Sequence, residues 1–344
     1  CTRKTVYNNQ IMRQDFKVRI GIIGTGFIVD RILEAAKENA DIKINAIYSR
    51  TYEKAADFSK KYDIPYIFTS LEEMASSSII DAIYIASPNA LHAPQSILFM
   101  KHGKHVLCEK PLASNALEVK QMIEASNIYN VTFMEAMKST LTPNFAQVIR
   151  HLKDIGKIRH YFACYCQYSS RYDKLKEGVV LNAFKPELSN GAVMDIGIYT
   201  IYPMVVLFGK PLKINASGVK LFTGVDGQGS VIFEYEDMTA TVMYSKITDS
   251  SLPSEIQGED GTIILDRINC INQVELVSRK ISKDIISQPT AKNEYYYELK
   301  EFIELIKTGK RESLINSHLN SFITIEIIDE IRRQVDISYP SDTM

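Results

Sequence analysis

The run Lys17-Val-Arg-Ile-Gly-Ile-Ile-Gly24 is β-prone, ends in glycine and leads directly into a helix-compatible stretch at 28–39. Its turn reads Gly24-Thr25-Gly26-Phe27-Ile28-Val29. The two glycines match the start of a dinucleotide fingerprint. They permit a tight turn and let the backbone approach a pyrophosphate, which a helix N-terminus then stabilises. The third fingerprint position holds Val29 instead of Gly or Ala, which puts a bulkier side chain at the strand–helix contact. An ordinary glycine-rich turn is the plain alternative. The position of the turn at the head of an alternating pattern favours the fingerprint.

That pattern continues with strands at 43–48, 82–86, 104–108 and 131–134, and an extended segment at 64–68, where Pro65 disfavours helix just before it. Helices are expected at 51–62, 71–76, 92–102 and 116–129. Short apolar strands alternating with helices specify a mostly parallel sheet covered on both faces. After about Ala136 the pattern changes. A helix at 143–153 leads to strands at 158–168, 214–222, 229–236, 239–245, 255–258, 262–266 and 273–277, several of them consecutive and so largely antiparallel. Glu236-Asp237 and Glu259-Asp260-Gly261 read as hairpin turns. Helices at 294–308 and 317–334 close the chain. The expected division is an N-terminal extension at 1–16, a nucleotide-binding domain at 17–136 and an α+β substrate and oligomerisation domain at 137–344. Two domains suit a chain of 344 residues.

The end of the second strand bears on the choice of nucleotide. An NAD site usually places Asp or Glu about 20 residues beyond the glycine turn. Here the segment is Ile47-Tyr48-Ser49-Arg50-Thr51, with Lys54 beyond and no carboxylate. Ser49 and Thr51 can donate hydrogen bonds to a 2′-phosphate, and Arg50 can pair with it or stack on adenine. NADP is therefore expected over NAD; a solvated Arg50 at a strand end is the alternative.

Composition removes other classes. Lys plus Arg number 40 and Asp plus Glu 41, a net charge of −1, which argues against a nucleic-acid partner. No continuous apolar stretch reaches the roughly 18–20 residues of a membrane span, and the N-terminus lacks the apolar core of a signal peptide. Met12 is the expected natural start. Five cysteines (Cys1, Cys108, Cys164, Cys166, Cys270) are too few and odd in number for a disulfide framework, so a cytoplasmic setting is expected. Cys164 and Cys166 share one strand face with no further metal ligands nearby, and are read as packing residues.

Three further segments complete a recognisable set: Ala86-Ser87-Pro88-Asn89-Ala-Leu-His92, Cys108-Glu109-Lys110-Pro111 and Gly191-Ala-Val-Met-Asp195-Ile-Gly-Ile-Tyr199. With the glycine turn, they resemble the glucose–fructose oxidoreductase/inositol dehydrogenase (Gfo/Idh/MocA) family. Met134-Glu135-Ala136 and Pro186-Glu187-Leu188 add to the resemblance, which runs from about Lys17 through most of the chain. It implies α/β architecture: an N-terminal Rossmann domain and a C-terminal α+β domain with a large, mostly antiparallel open sheet. It also implies NAD(P)-linked hydride transfer on sugars, polyols or related carbonyl compounds, without a metal. The Asp-Ile-Gly-Ile-Tyr segment looks most like the branch that contains dimeric dihydrodiol dehydrogenase. In that branch a lysine and a tyrosine matching Lys110 and Tyr199 form the catalytic pair. The sequence departs from the branch at Ser189 and Asn190, where glycines are common, at Met137-Lys138-Ser139, where an aromatic and an arginine are frequent, and at Asn182, often arginine.

The expected site therefore has Lys110, Tyr199 and Asp195 as catalytic residues. Gly24, Thr25, Gly26, Phe27, Ile28, Ser49, Arg50, Lys54, Ser87, Pro88, Asn89, His92, Glu109 and Lys110 are expected to bind the cofactor. Tyrosine at its ordinary pKa of about 10 is a poor base, and a neighbouring Lys110 ammonium is expected to lower that value. Asp195, four residues before Tyr199, is placed on the same helical face, where it can orient substrate or Lys110. His92 is read equally as a core hydrogen-bonding residue, and Tyr295-Tyr296-Tyr297 as a helix face packed on the sheet. Alternatives are an NAD-linked inositol or amino-sugar dehydrogenase, and a non-enzymatic dinucleotide sensor. An uncovered sheet face would be buried in a homodimer or homotetramer.

Overall fold

The computed structural model describes residues 17–279, 283–290 and 293–343. The expected extension at 1–16 and the Met12 start lie outside the described residues. Six parallel strands form the first sheet: β1 (Val18–Ile23), β2 (Ile42–Tyr48), β3 (Tyr66–Phe68), β4 (Ala82–Ile85), β5 (His105–Glu109) and β6 (Phe133–Ala136). Their spatial order is β3-β2-β1-β4-β5-β6. Helices α1 (Phe27–Ala36), α2 (Tyr52–Tyr62), α3 (Leu71–Ser76), α4 (His92–Lys101) and α5 (Ala116–Ile128) connect them. Every residue of β4 is buried, as a central strand covered on both faces requires. The strand order reverses between β1 and β4, which opens a crevice at the carboxyl ends of the strands where ligands bind in such sheets. Val29, the departure in the fingerprint, is fully buried among Val18, Ile20, Ile22 and Ile32, so its bulk becomes part of the core.

The second half comprises α6 (Pro143–His151), β7 (Ile158–Cys166), α7 (Tyr172–Lys176), α8 (Ile198–Phe208), β8 (Lys213–Lys220), β9 (Asp226–Glu234), β10 (Thr239–Ser245), β11 (Ser254–Gly258), β12 (Gly261–Leu265), β13 (Val274–Ser278), β14 (Lys283–Ile285), α9 (Tyr295–Thr308) and α10 (His318–Gln334). The eight strands lie in the order β14-β13-β12-β11-β7-β10-β9-β8. All neighbours are antiparallel except β7 and β10, which are distant in sequence and pair in parallel. The expected strands recur within a few residues. The short β14 is additional; its three exposed residues carry no hydrophobic period.

A cut at 136/137 separates the two sheets but not the helices. Leu299, Phe302 and Ile303 of α9 pack in one cluster with β1 and α1, so a late helix covers the first sheet. α10 packs against both α5 and α8. The segment Pro186–Phe208, a series of helical turns ending in α8, matches a membrane span in length and apolar content. Its apolar window is 78% buried inside the protein, the property of a core helix.

Candidate active site

A cleft of about 2300 Å³ runs from the carboxyl ends of β1 and β2 to the start of α8, and every expected site residue lies in its wall. Its outer end is made by the glycine turn. Gly24 has φ +119°, and a Cβ there would lie 2.7 Å from the Ala86 carbonyl oxygen, so only glycine fits without strain. Gly26 caps α1 with no side-chain hydrogen bond, and a Cβ there would meet nothing within 4 Å. Open space in front of an uncapped helix N-terminus suits a pyrophosphate. Thr25, Phe27 and Ile28 continue this wall. Ser49, Arg50, Thr51 and Lys54 stand at the β2 end. The acidic residues lining the cleft are Glu109, Glu187 and Asp195, and none belongs to β2 or the turn after it. These residues fit a dinucleotide, and the β2 end fits one carrying a 2′-phosphate.

The middle of the cleft is built by two loops locked together. Both ring nitrogens of His92 lie 2.9 Å from backbone carbonyl oxygens, Nε2 from that of Ser87 and Nδ1 from that of Pro111. Burial lowers the His92 pKa, against the two carbonyls, and the neutral ring has one N–H to donate to one of them at a time. Pro88 lines the cleft between them. Ser87 Oγ donates to Gln95 Oε1 at 2.7 Å. Asn89 Nδ2 donates to the Ser189 carbonyl at 2.8 Å, which ties the nucleotide domain to the segment leading into α8. Ser189 adopts φ +54°, a conformation that glycine favours, and its hydroxyl donates to Ser114 Oγ at 2.8 Å.

The deep end gathers charges from distant segments. Lys110 Nζ donates to Asp195 at two atoms, the carbonyl oxygen at 2.6 Å and Oδ1 at 3.2 Å. The other carboxylate oxygen of Asp195 pairs with Lys246 Nζ. Burial opposes ionisation of Asp195, but the two lysines outweigh it and hold its carboxyl below the usual range. Lys110 Nζ also lies 4.8 Å from the centre of the Tyr199 ring. The phenol nevertheless departs from expectation. Burial raises the Tyr199 pKa well above 10, and Glu109, Tyr165, Glu298 and Asp195 push the same way. Lys110 spends its charge on Asp195 rather than on the ring. Glu109 accepts the Tyr84 hydroxyl and the Lys110 N–H, and burial raises its pKa.

Asp195 lies in a single π-turn, Val193–Gly197, immediately before α8. Such insertions concentrate at functional sites because they re-aim backbone and side chain together. Both the carbonyl and the carboxylate of Asp195 meet Lys110, one of the two partners, substrate or Lys110, that the i,i+4 reading offered it. Asp226 of β9 fixes the start of this segment by accepting the N–H groups of Ala192 and Val193 at 2.9 and 2.8 Å. Gly191, at φ +145°, leaves no room for a Cβ beside that carboxylate.

A family model described as "Oxidoreductase family, NAD-binding Rossmann fold" matches residues 18–137, and one described as "GFO/IDH/MocA C-terminal domain" matches residues 146–264. The chain belongs to the Gfo/Idh/MocA family. The scyllo-inositol 2-dehydrogenase (NADP(+)) IolU of Bacillus subtilis is 51% identical, over 94% of this chain and 99% of its own. The trans-1,2-dihydrobenzene-1,2-diol dehydrogenase of Danio rerio is 32% identical, over 88% and 91%. The inositol enzyme thus stands nearer than the branch that the Asp-Ile-Gly-Ile-Tyr segment suggested. Among solved structures, the 3-ketoreductase KijD10 of Actinomadura kijaniata with NADP and TDP-benzene superposes with a TM-score of 0.83 at 20% identity, over 94% of this chain and 99% of that one. That likeness concerns the fold.

As a Gfo/Idh/MocA member, the protein is an NAD(P)-dependent oxidoreductase acting on CH–OH groups. The bound nicotinamide supplies the hydride acceptor or donor. At the deep end of the cleft the chain sets two lysines, Lys110 and Lys246, on the Asp195 carboxylate beside the buried Tyr199 phenol. Sequence reasoning did not find Lys246. It follows β10 with no motif around it, and its partner lies 51 residues away. Tyr295, read as a packing residue, also lines the cleft, with Lys138 Nζ 4.8 Å from its ring centre. Among the described residues no group of three or more His, Cys, Asp or Glu is placed to hold a metal ion.

Proposed function

We propose that this protein is an NADP-dependent dehydrogenase of a cyclic polyol of the inositol type, or equally a reductase of the matching ketone. The observation that carries the reading is the Lys110–Asp195–Lys246 set beside Tyr199, at the deep end of a cleft whose β2 end offers Ser49 and Arg50 and no carboxylate. The NADP-linked inositol dehydrogenase at 51% identity supports both the nucleotide and the substrate class. Lys110 and Tyr199 grip the substrate oxygen, and Asp195 holds Lys110 in place. The glycine turn and the Ser49–Lys54 segment hold the two ends of the nucleotide, with Ser87, Pro88, Asn89, His92 and Glu109 shaping the wall between. A dinucleotide sensor has no use for a lysine held on a carboxylate beside a phenol.

Gln167, Asn182 and Asn269 line the substrate arm of the cleft, and neutral amides suit a hydroxyl-rich ring. The test is nicotinamide absorbance at 340 nm with scyllo-inositol, its stereoisomers and linear sugars, each with NADP⁺ and NAD⁺. Turnover of a cyclic polyol with NADP⁺ is expected. Turnover confined to NAD⁺ or to linear sugars would sink the reading.

The same reading extends to assembly and setting. α8 and α10 cover one face of the eight-stranded sheet, and the other face presents Ile232, half exposed. A homodimer or homotetramer through that face is proposed, and light scattering that finds a monomer at micromolar concentration would contradict it. A cytoplasmic setting agrees with Cys108, Cys164, Cys166 and Cys270 being free thiols.

A further inference from the structure

Lys138 is a cleft lysine that neither the family motif nor the Asp195 pair employs. It opens a single 3₁₀ turn (Lys138–Thr140) just beyond β6, with its side chain 8% exposed. It nevertheless borders two spaces: the large cleft, and a second cavity of about 450 Å³ lined by Arg31, Thr142, Asn272, Glu294 and Tyr297 among others. On the cleft side its Nζ lies 6.0 Å from the centre of the Tyr199 ring. On the far side it pairs with Glu294, which is partly exposed in the second cavity. Lys138 thus spans the wall between the reacting end of the cleft and a separate space.

The groups facing it come from four directions. α9 and its N-terminus contribute Glu294, Tyr295 and Glu298; the end of β5 contributes Glu109 and Lys110; α8 contributes Tyr199; the loop before β13 contributes Cys270. Glu298 is fully buried, and neither of its carboxyl oxygens has a hydrogen-bond partner. Burial, reinforced by Glu109, raises its pKa well above 4.5, which weakens it as a countercharge for Lys138. Burial lowers the Lys138 pKa to about 8, with Lys110 acting in the same direction against Cys270, Glu298 and Glu109, while the contact with Glu294 favours the ammonium. Tyr199 keeps its proton (above), so a phenolate is not available to store the proton that leaves the alcohol.

We propose that Lys138 carries the proton between the reacting end of the cleft and the second cavity. This rests on the dehydrogenase reading above. In oxidation the substrate O–H bond breaks and its proton passes to the Tyr199 oxygen, while the phenol's own proton passes to the neutral Lys138 amine, through a bridging water where the atoms stand beyond hydrogen-bond reach. The carbinol hydrogen leaves with its electron pair to the oxidised nicotinamide. The Lys138 ammonium then gives its proton to solvent in the second cavity. One alcohol and one NADP⁺ yield one ketone, one NADPH and one proton; reduction runs the same path backwards. Lys138 lines both spaces, so the second cavity offers it a way to solvent when dinucleotide and substrate fill the cleft.

The test compares the full-length protein with Lys138→Arg and Lys138→Met. The first readout needs no cofactor: lysines are ¹³C-methylated and titrated by NMR. A resonance with a midpoint near pH 8, absent from both variants, is expected; lysines that all titrate near the ordinary 10.4 overturn the proposal. The second readout is the pH profile of kcat. A wild-type limb near pH 8 should vanish in both variants, with kcat at pH 8 reduced about 10²-fold and NADPH affinity unchanged. Arginine keeps the charge but does not release a proton, so restoration of the wild-type profile by Lys138→Arg also overturns the proposal. A protein that keeps the lysine midpoint but turns over no polyol fails the substrate reading alone. The profile is then read on whichever carbonyl compound it reduces.

Discussion

The two ends of the cleft are built in opposite ways. The nucleotide end is local and made of backbone: Gly24, Gly26 and the first turn of α1 lie within a few residues, and the fit depends on missing side chains. The deep end is non-local and made of charged side chains. Lys110 meets Asp195 across 85 residues, Asp195 meets Lys246 across 51, and Lys138 meets Glu294 across 156. A site of the first kind is set by one supersecondary unit. A site of the second kind exists only once both sheets have docked, so its cost is desolvated charge rather than backbone geometry.

The largest effect expected from this contrast is at Lys110. Lys110→Ala removes a cation that touches no part of the glycine turn. Activity measured at 340 nm should fall about 10²- to 10⁴-fold, while NADPH affinity, read by fluorescence, changes by less than about threefold. A parallel loss of nucleotide binding would break the division between the two ends.

The next effect concerns stability. Glu135 of β6 is buried and accepts the Leu112 N–H at 3.1 Å, just beyond Lys110–Pro111. Burial raises its carboxyl from 4.5 to about 7. A raised acid contributes stability that is fully present below pH 4.5 and lost as pH rises through 7. At about 1.4 kcal/mol per unit, up to about 3 kcal/mol is at stake. Urea midpoints should therefore fall between pH 5 and pH 8 more steeply in the wild type than in Glu135→Gln. Equal slopes would mean that the catalytic half does not carry this pH dependence.

The same contrast governs what was legible in the chain. The first sheet could be read because each strand is a short apolar run beside a helix, and the glycine turn because its chemistry is contiguous. Lys110 and Tyr199 were found through their motifs. Lys246 and Glu298 were not, because a lysine after a strand and a glutamate in a helix look solvated until a second domain covers them. The acidity of Tyr199 was anticipated in the wrong direction for a related reason. Sequence placed the ammonium beside the phenol and offered Asp195 as a group that orients it, but did not place Glu109 and Glu298 around the ring. The role of α9 was hidden because a helix late in the chain returns to cover the first sheet.

A pair of glycine substitutions sharpens the backbone side of the contrast. Gly24→Ala imposes a Cβ at φ +119° against the Ala86 carbonyl. It should cost about 1–3 kcal/mol of stability as well as nucleotide binding. Gly26 has an ordinary φ of −95° and open space before it. Gly26→Ala should melt like the wild type, yet bind NADPH about tenfold or more weakly because its methyl occupies the approach of the pyrophosphate. If both variants bind normally, the turn is not the pyrophosphate site.

The smallest effect belongs to Arg50, and it tests whether the nucleotide end is backbone throughout. Arg50 is exposed at the end of β2, so its pairing with a 2′-phosphate is screened by solvent. A loss of about 1.4 kcal/mol, tenfold in affinity, is the scale for one such contact. Arg50→Ala should weaken NADP⁺ by about that factor, leave NAD⁺ unchanged and flatten the salt dependence of NADP⁺ binding. Titration of both nucleotides at two salt concentrations separates the outcomes. If NAD⁺ weakens equally, Arg50 stacks on adenine and carries no selectivity. The choice of NADP would then rest on Ser49, Thr51 and Lys54.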